Sequence, residues 1–325
     1  MATVFLTSSL SPNPKSFRRL QELAAGDRVG THRLAGDPES ADLLLFAESA
    51  WKNEMLWEAR RHPLVRRYRE KCFVQCELDG VIPFLPGVYT AVPRRWYRED
   101  RIRSGSYLWM YQNPAVRYEP EGAVPHWLFS FVGDAGTHPV RRAVLELDHP
   151  RALLKDSGGY RSVQQEPDAR GQYQRTYAET LRTSAFVLCP RGVSPSSVRV
   201  FEVMRSGRVP VILSDEWVAP VGPDWASFSV RLPEADVPSL PARLEALEPE
   251  AEAMGRQARQ AWDEWFADDT VFHHVVEACL DIARTRTQPE SRLRWTAFLA
   301  LAEKRYFANA ARQTRDNLRK RLRSR

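Results

Sequence analysis

The sequence predicts an α/β protein with two domains and a long helical C-terminal segment, and three observations support this. The 325 residues suffice for roughly two domains, and 43% hydrophobic with 27% charged residues is a globular composition. Short apolar runs alternate with segments of helical periodicity, which is typical of mainly parallel sheets. The segment 112–126 lacks periodicity and is rich in Pro and Gly, so we expect a domain boundary there.

Four short runs predict the strands of a first domain, which we expect to span residues 1–125. The second of them is a continuous Leu-Leu-Leu-Phe run of the kind that is buried on both faces of a sheet. Helical periodicity separates the second run from the third, with a break at Pro63. The predicted strands are Thr3–Leu6, Leu43–Phe46, Cys72–Cys76 and Val88–Val92, and the predicted helical segment is Trp51–Glu70.

A second α/β series predicts a domain over residues 126–290, followed by a tail over 291–325. From Pro238 onward the pattern is helical almost to the end. The predicted strands are Trp127–Gly133, Ala185–Cys189, Val209–Leu213 and Phe228–Arg231. The predicted helices are Pro139–Leu147, Tyr173–Thr183 and Ser196–Ser206.

Composition argues against several classes of protein. The mean hydropathy is −0.46, and no apolar run approaches the roughly 20 residues that cross a bilayer. The first residues lack the charged and apolar regions of a signal peptide, so we expect a cytoplasmic protein. Of the four cysteines only Cys72 and Cys76 are close in sequence, with no second Cys or His pair nearby, so we expect buried thiols and no metal site.

The positive charge is concentrated in the tail. From Arg284 to Arg325 there are thirteen Lys or Arg and three acidic residues, a net charge of +10 against +6 for the whole chain. The rest of the chain is therefore mildly acidic. We expect the tail to pack back on the N-terminal domain, with two alternatives: peripheral contact with anionic lipids at the inner face of the membrane, or nucleic-acid binding. The last is the weakest, since the chain carries no recognition motif.

The segment from Ser184 to Asp215 carries the most chemical information. A buried strand ends at Cys189-Pro190-Arg191-Gly192, and Ser194-Pro195-Ser196-Ser197 predicts a helix start with a serine cap and a proline in the first turn. Gly207 suits the left-handed residue that ends a helix. The sequence thus predicts a strand, turn, helix, turn and strand unit.

Such a unit forms an anion site, because free N–H groups and the positive end of the helix dipole meet at the first turn. Arg191 and the serines would add donors for a diphosphate, and Glu202, about two turns along, could accept from ribose hydroxyls. The pattern therefore suggests a nucleotide-sugar site. The alternative is purely structural: Arg191 and Ser196 cap the helix, and Glu202 pairs with Arg199.

The same segment resembles the signature of the exostosin family of glycosyltransferases. The resemblance rests on Leu188-Cys189-Pro190-Arg191-Gly192, on Ser196 to Met204, and on Val209-Pro210-Val211-Ile212 with Ser214-Asp215. Asp224-Trp225, Phe228-Ser229-Val230, Glu234 and Asp236 continue it, and Phe129 to Gly133 with Arg141 resembles the opening of the family's donor-binding domain. The similarity extends from about Trp127 to Leu247, with a faint trace at Leu85 to Tyr89.

The resemblance implies a GT-B glycosyltransferase with two Rossmann-like domains, whose C-terminal domain holds the donor and whose N-terminal side receives the acceptor. It implies transfer from a nucleotide diphosphate sugar, favouring a UDP-sugar, to a saccharide or lipid-linked acceptor, with inversion and no cofactor or metal. By position, Arg191 and Arg141 would face the diphosphate and Glu202 the ribose. The full donor-binding set is Gly133, Arg141, Arg191, Ser196, Ser197, Arg199 and Glu202.

Catalysis would follow from charge. Negative charge develops on the diphosphate as the glycosidic bond breaks, so helix N–H groups with Arg191 and Arg141 would stabilise the transition state. An inverting reaction also needs a base for the acceptor hydroxyl. Glu48 and Asp79, each after a predicted strand, are the candidates.

Several alternatives stay open at this stage. Glu77 with Asp79, or Glu234 with Asp236, would be ligands if a divalent cation held the diphosphate. His138 would reach a phosphate if its turn faced the site. Ser194 occupies the position at which many GT-B enzymes have a second glutamate, so a non-catalytic nucleotide-sugar or glycan-binding partner of another transferase is the alternative function.

Overall fold

The chain forms two compact α/β units, which are described separately. A computed structural model describes residues 1–9, 15–48, 55–79, 81–109, 113–120, 124–158 and 167–323. The first unit comprises residues 1–110, 218–221 and 268–325, and the second comprises 111–217 and 222–267. Parts of the predicted helix from Trp51 and of the predicted linker 112–126 lie outside the described residues.

The first unit is built on a six-stranded parallel sheet. Its strands are β1 (Thr3–Thr7), β2 (Arg33–Leu34), β3 (Leu43–Glu48), β4 (Cys72–Cys76), β5 (Gly87–Tyr89) and β6 (Ile102–Ser104), in the spatial order β2-β1-β3-β4-β5-β6. Its helices are α1 (Lys15–Ala25), α2 (Met55–Arg61), α3 (Pro63–Arg67), α10 (Val271–Thr285), α11 (Glu290–Leu293) and α12 (Lys304–Arg323). The break predicted at Pro63 is confirmed, because Pro63 opens α3 after the cap His62.

The second unit is built on a five-stranded parallel sheet. Its strands are β7 (Trp127–Gly133), β8 (Ala152–Asp156), β9 (Ser184–Pro190), β10 (Val209–Leu213) and β11 (Val230–Leu232), in the order β11-β10-β9-β7-β8. Its helices are α4 (Pro139–Leu145), α5 (Pro167–Arg182), α6 (Val198–Arg205), α7 (Trp225–Phe228), α8 (Leu240–Leu247) and α9 (Ala251–Trp265). The predicted α/β class, with two units that are each built on a parallel sheet, is therefore confirmed.

The C-terminal helix α10 belongs to the first unit. Its buried residues Phe272, Val276 and Ile282 pack in one core with β3 and with Leu20 and Leu23 of α1. The compact units accordingly divide the chain at 110/111 and 267/268, whereas the sequence suggested 125/126 and 290/291. Helix α10 follows the elements of the second unit in sequence but packs on the apolar face of the first sheet. No local sequence pattern indicates this packing.

Local differences from the predicted elements have simple causes. The strands β2, β6 and β8 were not predicted: two of them have only two or three residues, and β8 is at most half-buried, so none has a clear apolar alternation. The strand predicted over Phe228–Arg231 is displaced, because Trp225–Phe228 form a helical turn and the strand begins at Val230. All four cysteines are buried and unpaired, as predicted.

A buried ion pair fixes the C-terminal segment to the first sheet. Arg101 donates to both carboxylate oxygens of Glu290, at 2.6 and 3.1 Å, and to the carbonyls of Pro83 and Phe84. Both side chains of the pair are 1% exposed. Farther along, Glu303 accepts from the side chains of Arg95 and Trp96. No helix within the described ranges is long and apolar enough to cross a bilayer.

We predict that Arg101→Met destabilises the protein by about 3 kcal/mol, because Glu290 would remain buried without its main cation. The double variant Arg101→Met/Glu290→Leu should regain most of the loss, since apolar side chains often replace a buried ion pair at little cost. Urea unfolding of the three chains measures this. A double variant as unstable as Arg101→Met would contradict the assignment.

Candidate functional site

The second sheet contains one point at which the strand order reverses. The chain continues from β7 to β8 on one side and to β9 on the other. In open parallel sheets, ligands bind beyond the carboxyl ends of the two strands that flank such a point. Here those ends are Gly133 and Pro190-Arg191, so the fold brings together the segments on which the sequence placed a donor site.

Arg141 joins these two strand ends. Its Nε donates to the carbonyl of Arg191 at 3.0 Å, and its Nη1 donates to the carbonyl of Asp134 at 3.2 Å. Burial, together with repulsion from Arg199, lowers the pKa of Arg141 to about 10. Because its main hydrogen bonds are to neutral carbonyls, Arg141 brings a positive charge that is not cancelled by these contacts.

Helix α6 begins two residues later than the sequence predicted. Ser197 is its N-terminal flanking residue with extended backbone angles (φ −135°, ψ 129°), and its side chain makes no capping hydrogen bond. The predicted serine cap with Pro195 at the helix start is therefore wrong, and so is the cap by Ser196 in the structural alternative, because the helical turn starts only after extended Ser197. The end at Gly207 is confirmed by its φ of +71°.

Two buried donors before α6 have no acceptor among the described residues: Nε of Arg191 and Oγ of Ser196. The only ion pair of Arg191 in this part of the structure is a long one, 3.7 Å to Glu234. Buried donors are nearly always satisfied in folded proteins, so an unsatisfied pair at a helix N-terminus marks a place where a ligand can accept hydrogen bonds.

Arg199 and Glu202 are linked through Tyr177 of α5. Nε of Arg199 donates to the Tyr177 hydroxyl at 3.2 Å, and that hydroxyl donates to Glu202 at 2.9 Å. Nη2 of Arg199 also donates to the carbonyl of Val132 at 2.6 Å. The direct Glu202–Arg199 pair of the structural alternative does not form. Burial raises the pKa of the Glu202 carboxyl, and its 8% exposure leaves little of it accessible.

Gly133 is explained by this network. A Cβ atom at this position would lie 2.8 Å from the Phe131 ring and 3.0 Å from Nη2 of Arg199. Since real Cβ atoms do not approach ring carbons so closely, a larger residue would displace the guanidinium from the end of β7. Gly133 thus positions Arg199, whereas the sequence suggested a contact with the donor.

Glu234, one of the two carboxylates proposed as alternative metal ligands in this unit, has other partners. Glu234 accepts from the backbone N–H of Asp215, and Asp215 accepts from that of Glu234, both at 3.1 Å. His138 caps α4 by accepting from Val140 N–H, and it lies 3.8 Å from Glu234. Across the described ranges, no three His, Cys, Asp or Glu side chains form a group that could hold a metal ion.

The first sheet reverses its order between β1 and β3, and Glu48 lies there. Its Oε1 accepts from Ser9 N–H at 2.6 Å, while its Oε2 is buried with no partner among the described residues. Burial raises the pKa of Glu48 to about 7. A carboxylate with a pKa near neutrality has the property required of a general base.

The other candidate base, Asp79, lies three residues past the end of β4 and is exposed. Its neighbour Glu77 is buried and accepts from the backbone N–H groups of Leu108 and Trp109. Glu77 therefore holds a loop in place. Of the two candidates, only Glu48 is buried.

Sequence reasoning missed Tyr177 and Asn113. Tyr177 was placed on a predicted helix, but nothing in its spacing indicates that it contacts α6. A backbone hydrogen bond from Asn113 reaches Glu202 and also favours its charged form. Asn113 lies at the start of the predicted linker, where polar residues are common, so no local signal could have identified it.

A comparison with known proteins covers the segment that contains this site. Residues 108–247 match the family model of the Exostosin GT47 domain, in agreement with the resemblance. All seven candidate donor-binding residues fall within the match.

Three similar proteins illustrate the extent of the likeness. An Exostosin-1 homolog of Caenorhabditis elegans is 42% identical over 76 residues, which is 22% of this chain and 20% of that protein. Exostosin-2 of Bos taurus is 27% identical over 179 residues, 52% of this chain and 24% of that protein. The chain thus spans about a quarter or less of the length of these relatives. The crystal structure of HepE from Anabaena in complex with UDP aligns at 10% identity with a TM-score of 0.41, covering 88% of this chain and 99% of that one.

We predict that Glu48→Gln changes the pH dependence of stability. Because the pKa of Glu48 is raised from 4.5 to about 7, the folded state binds more protons than the unfolded state between these values, and this carboxyl lowers stability as pH rises. The free energy of unfolding of the variant should therefore rise relative to that of wild type by up to about 3 kcal/mol between pH 4.5 and 7. Above pH 7 the difference should stay constant. Urea unfolding of both chains at several pH values measures the difference, and a constant difference across this range would refute the shifted pKa.

Proposed function

We propose that this chain is a glycosyltransferase that moves a sugar from a nucleotide diphosphate sugar, with UDP-sugars favoured, to a saccharide or lipid-linked acceptor. We include inversion at the transferred carbon and independence from a bound metal in the proposal. The observation that carries it is the pair of unsatisfied buried donors, Arg191 Nε and Ser196 Oγ, at the start of α6 in the GT47 domain.

The donor site is proposed to have two layers. The diphosphate would bind directly to Arg191, to Ser196, and to the N–H groups of Ser197 and of the first turn of α6. Arg141 and Arg199 would fix the strand ends and add positive charge beneath it. Glu202 would accept from the ribose, sharing its carboxylate with Tyr177, which already donates to it.

The chemistry then follows from charge. The bond between the anomeric carbon and the diphosphate oxygen breaks, and its electrons remain on the leaving diphosphate. Donors that are already oriented toward this oxygen stabilise the growing charge more than the ground state. Glu48, rather than Asp79, is the proposed base that takes the acceptor proton, because its pKa lies near neutrality.

A non-catalytic nucleotide-sugar or glycan-binding role is the second candidate, favoured by one feature. Ser194 replaces the second glutamate of many GT-B enzymes, and it is buried at 4% exposure. A chain that binds UDP-sugars without releasing UDP would belong to this second class.

We predict that Arg191→Gln lowers the rate of UDP release from the best UDP-sugar about 100-fold or more, by loss of a transition-state donor. Ser196→Ala should lower it about tenfold, the effect of one hydrogen bond. The assay incubates the chain with a panel of UDP-sugars and candidate acceptors and measures UDP. The matched control is Arg243→Gln, an exposed arginine of α8.

Three outcomes would count against parts of this proposal. Unchanged rates in Arg191→Gln would refute the donor site. Loss of activity in excess EDTA would refute metal independence. Retention of the anomeric configuration in the product would refute inversion.

For the tail, we propose peripheral contact with membranes that contain anionic lipids. Helix α12 carries eight basic residues and one acidic residue. Phe307, Leu318 and Leu322 are 54–74% exposed, and at 100° per residue they fall on one face with Ala311. An exposed apolar stripe on an arginine-rich helix is typical of helices that lie in a bilayer interface.

We predict that ending the chain at Ala311 weakens binding to phosphatidylserine-containing vesicles at least about 100-fold, because seven Lys or Arg follow that residue and each contributes roughly 1 kcal/mol. The chain that ends at Ala311 keeps the buried Tyr306 and the contacts of Glu303, so its first unit should fold. Leu318→Asp/Leu322→Asp should weaken binding while preserving most of the positive charge. Vesicle co-sedimentation measures this, and equal binding by all three chains would refute the proposal.

A further inference from the structure

Three arginines of the first unit line one small cavity that the proposed transferase chemistry does not use. They are Arg60 at the end of α2, Arg69 after α3, and Arg294 after α11. The rings of Phe84, Trp295 and Phe298 also line it, together with Val65, Leu85 and Glu290. The cavity has a volume of about 20 Å³, which is room for about one water molecule or one ligand oxygen.

Two of the three guanidinium groups, those of Arg60 and Arg294, are held close together by the aromatic rings. The guanidinium carbon of Arg60 lies 5.2–5.5 Å from the centroids of all three rings, and that of Arg294 lies 4.9 Å from the centroid of Trp295. Arg60 and Arg294 thus share one ring. Burial and repulsion from Arg69 and Arg60 lower the pKa of Arg294, which reflects their proximity.

Two of these arginines lack the partners that buried cations need. Nε of Arg69 and Nε of Arg294 are buried with no acceptor, and neither guanidinium has a carboxylate within 4 Å among the described residues. The one carboxylate that lines the cavity, Glu290, is directed to Arg101 at 2.6 Å. Unsatisfied, mutually repelling cations destabilise a fold unless an anion joins them.

We propose that Arg60, Arg69 and Arg294 form a binding site for the phosphate group of a phosphorylated ligand. One phosphate oxygen would enter the cavity and accept from Nε of Arg69 and Arg294. A dianion suits three cations better than a carboxylate does. Trp295 is 52% exposed and stacks on Phe298 at 5.6 Å, so its outer face is available to the group that bears the phosphate.

The two sources of such a phosphate are a soluble phosphate ester and a lipid headgroup. The second is of interest because Trp295 and Leu299, both more than half exposed, precede α12 in the chain. The chemistry at the arginines is the same in both cases. The size and polarity of the attached group would differ, and a test can separate them.

The experiment measures the thermal midpoint and the heat of binding of the full chain as inorganic phosphate replaces chloride at constant ionic strength. All chains carry Arg191→Gln, so that phosphate at the proposed donor site does not contribute. We expect a rise in the midpoint, because a ligand of the folded state stabilises it. Arg69→Gln and Arg294→Gln should each weaken binding about tenfold or more, the effect of one charge-assisted hydrogen bond.

Stability without phosphate provides a second measurement. Arg294→Gln removes one of three repelling charges. Its thermal midpoint in chloride should therefore equal or exceed that of the parent chain, which carries Arg191→Gln alone. The matched control is Arg292→Gln, an exposed neighbour outside the cavity that hydrogen-bonds to Gln288. It should retain the full response to phosphate.

The results decide between a phosphate site and a cavity that holds only water. Equal responses in the parent, Arg69→Gln and Arg294→Gln, or no response in the parent, would overturn the proposal. Glucose 1-phosphate and phosphatidic acid vesicles then distinguish the two sources. Whichever of the two represents the natural ligand should bind more tightly than inorganic phosphate. Trp295→Ala should remove this additional affinity and leave the affinity for inorganic phosphate unchanged. A gain that survives Trp295→Ala would refute the role of Trp295.

Discussion

The second unit depends on how the ends of β7 and β9 are held at the reversal of strand order. Arg141 joins these ends through the carbonyls of Asp134 and Arg191, and Arg199 binds the carbonyl of Val132. Parallel strands end there with carbonyls that lack partners in the sheet, so guanidinium groups with several donors suit this position. A Cβ atom at Gly133 would crowd the Phe131 ring and, less closely, the Arg199 guanidinium.

These hydrogen bonds have an electrostatic consequence. Carbonyl acceptors satisfy the N–H groups of Arg141 without cancelling its charge, and its lowered pKa reflects the resulting repulsion and burial. Arg191 adds a further cation with an unsatisfied Nε. The free protein thus holds positive charge in place before any ligand arrives, which is the arrangement that stabilises a developing anion most effectively.

The first unit uses arginine in two opposite ways. Arg101 is fully paired, with Glu290 and two carbonyls as acceptors, and it attaches the C-terminal segment to the sheet. Arg69 and Arg294, near the same segment, have no such acceptors among the described residues. Arg101 is almost fully buried and its donors are satisfied, whereas Arg69 and Arg294 are half-buried and each has a buried Nε without an acceptor; we infer that the first stabilises the fold and that the other two can bind an anion.

The sequence by itself determined the α/β class, the buried strand over Ala185–Cys189, the helix stop at Gly207 and the segments that resemble the exostosin signature, because these depend on local patterns. It did not determine the strand order, the place of α10 in the first core, or the extended conformation that delays α6 to Val198. Those depend on contacts between residues far apart, such as Arg141 with Arg191 and Tyr177 with Glu202. The raised pKa of Glu48 and the unsatisfied Nε of Arg191 follow from burial, and burial exists only once the tertiary structure has excluded water.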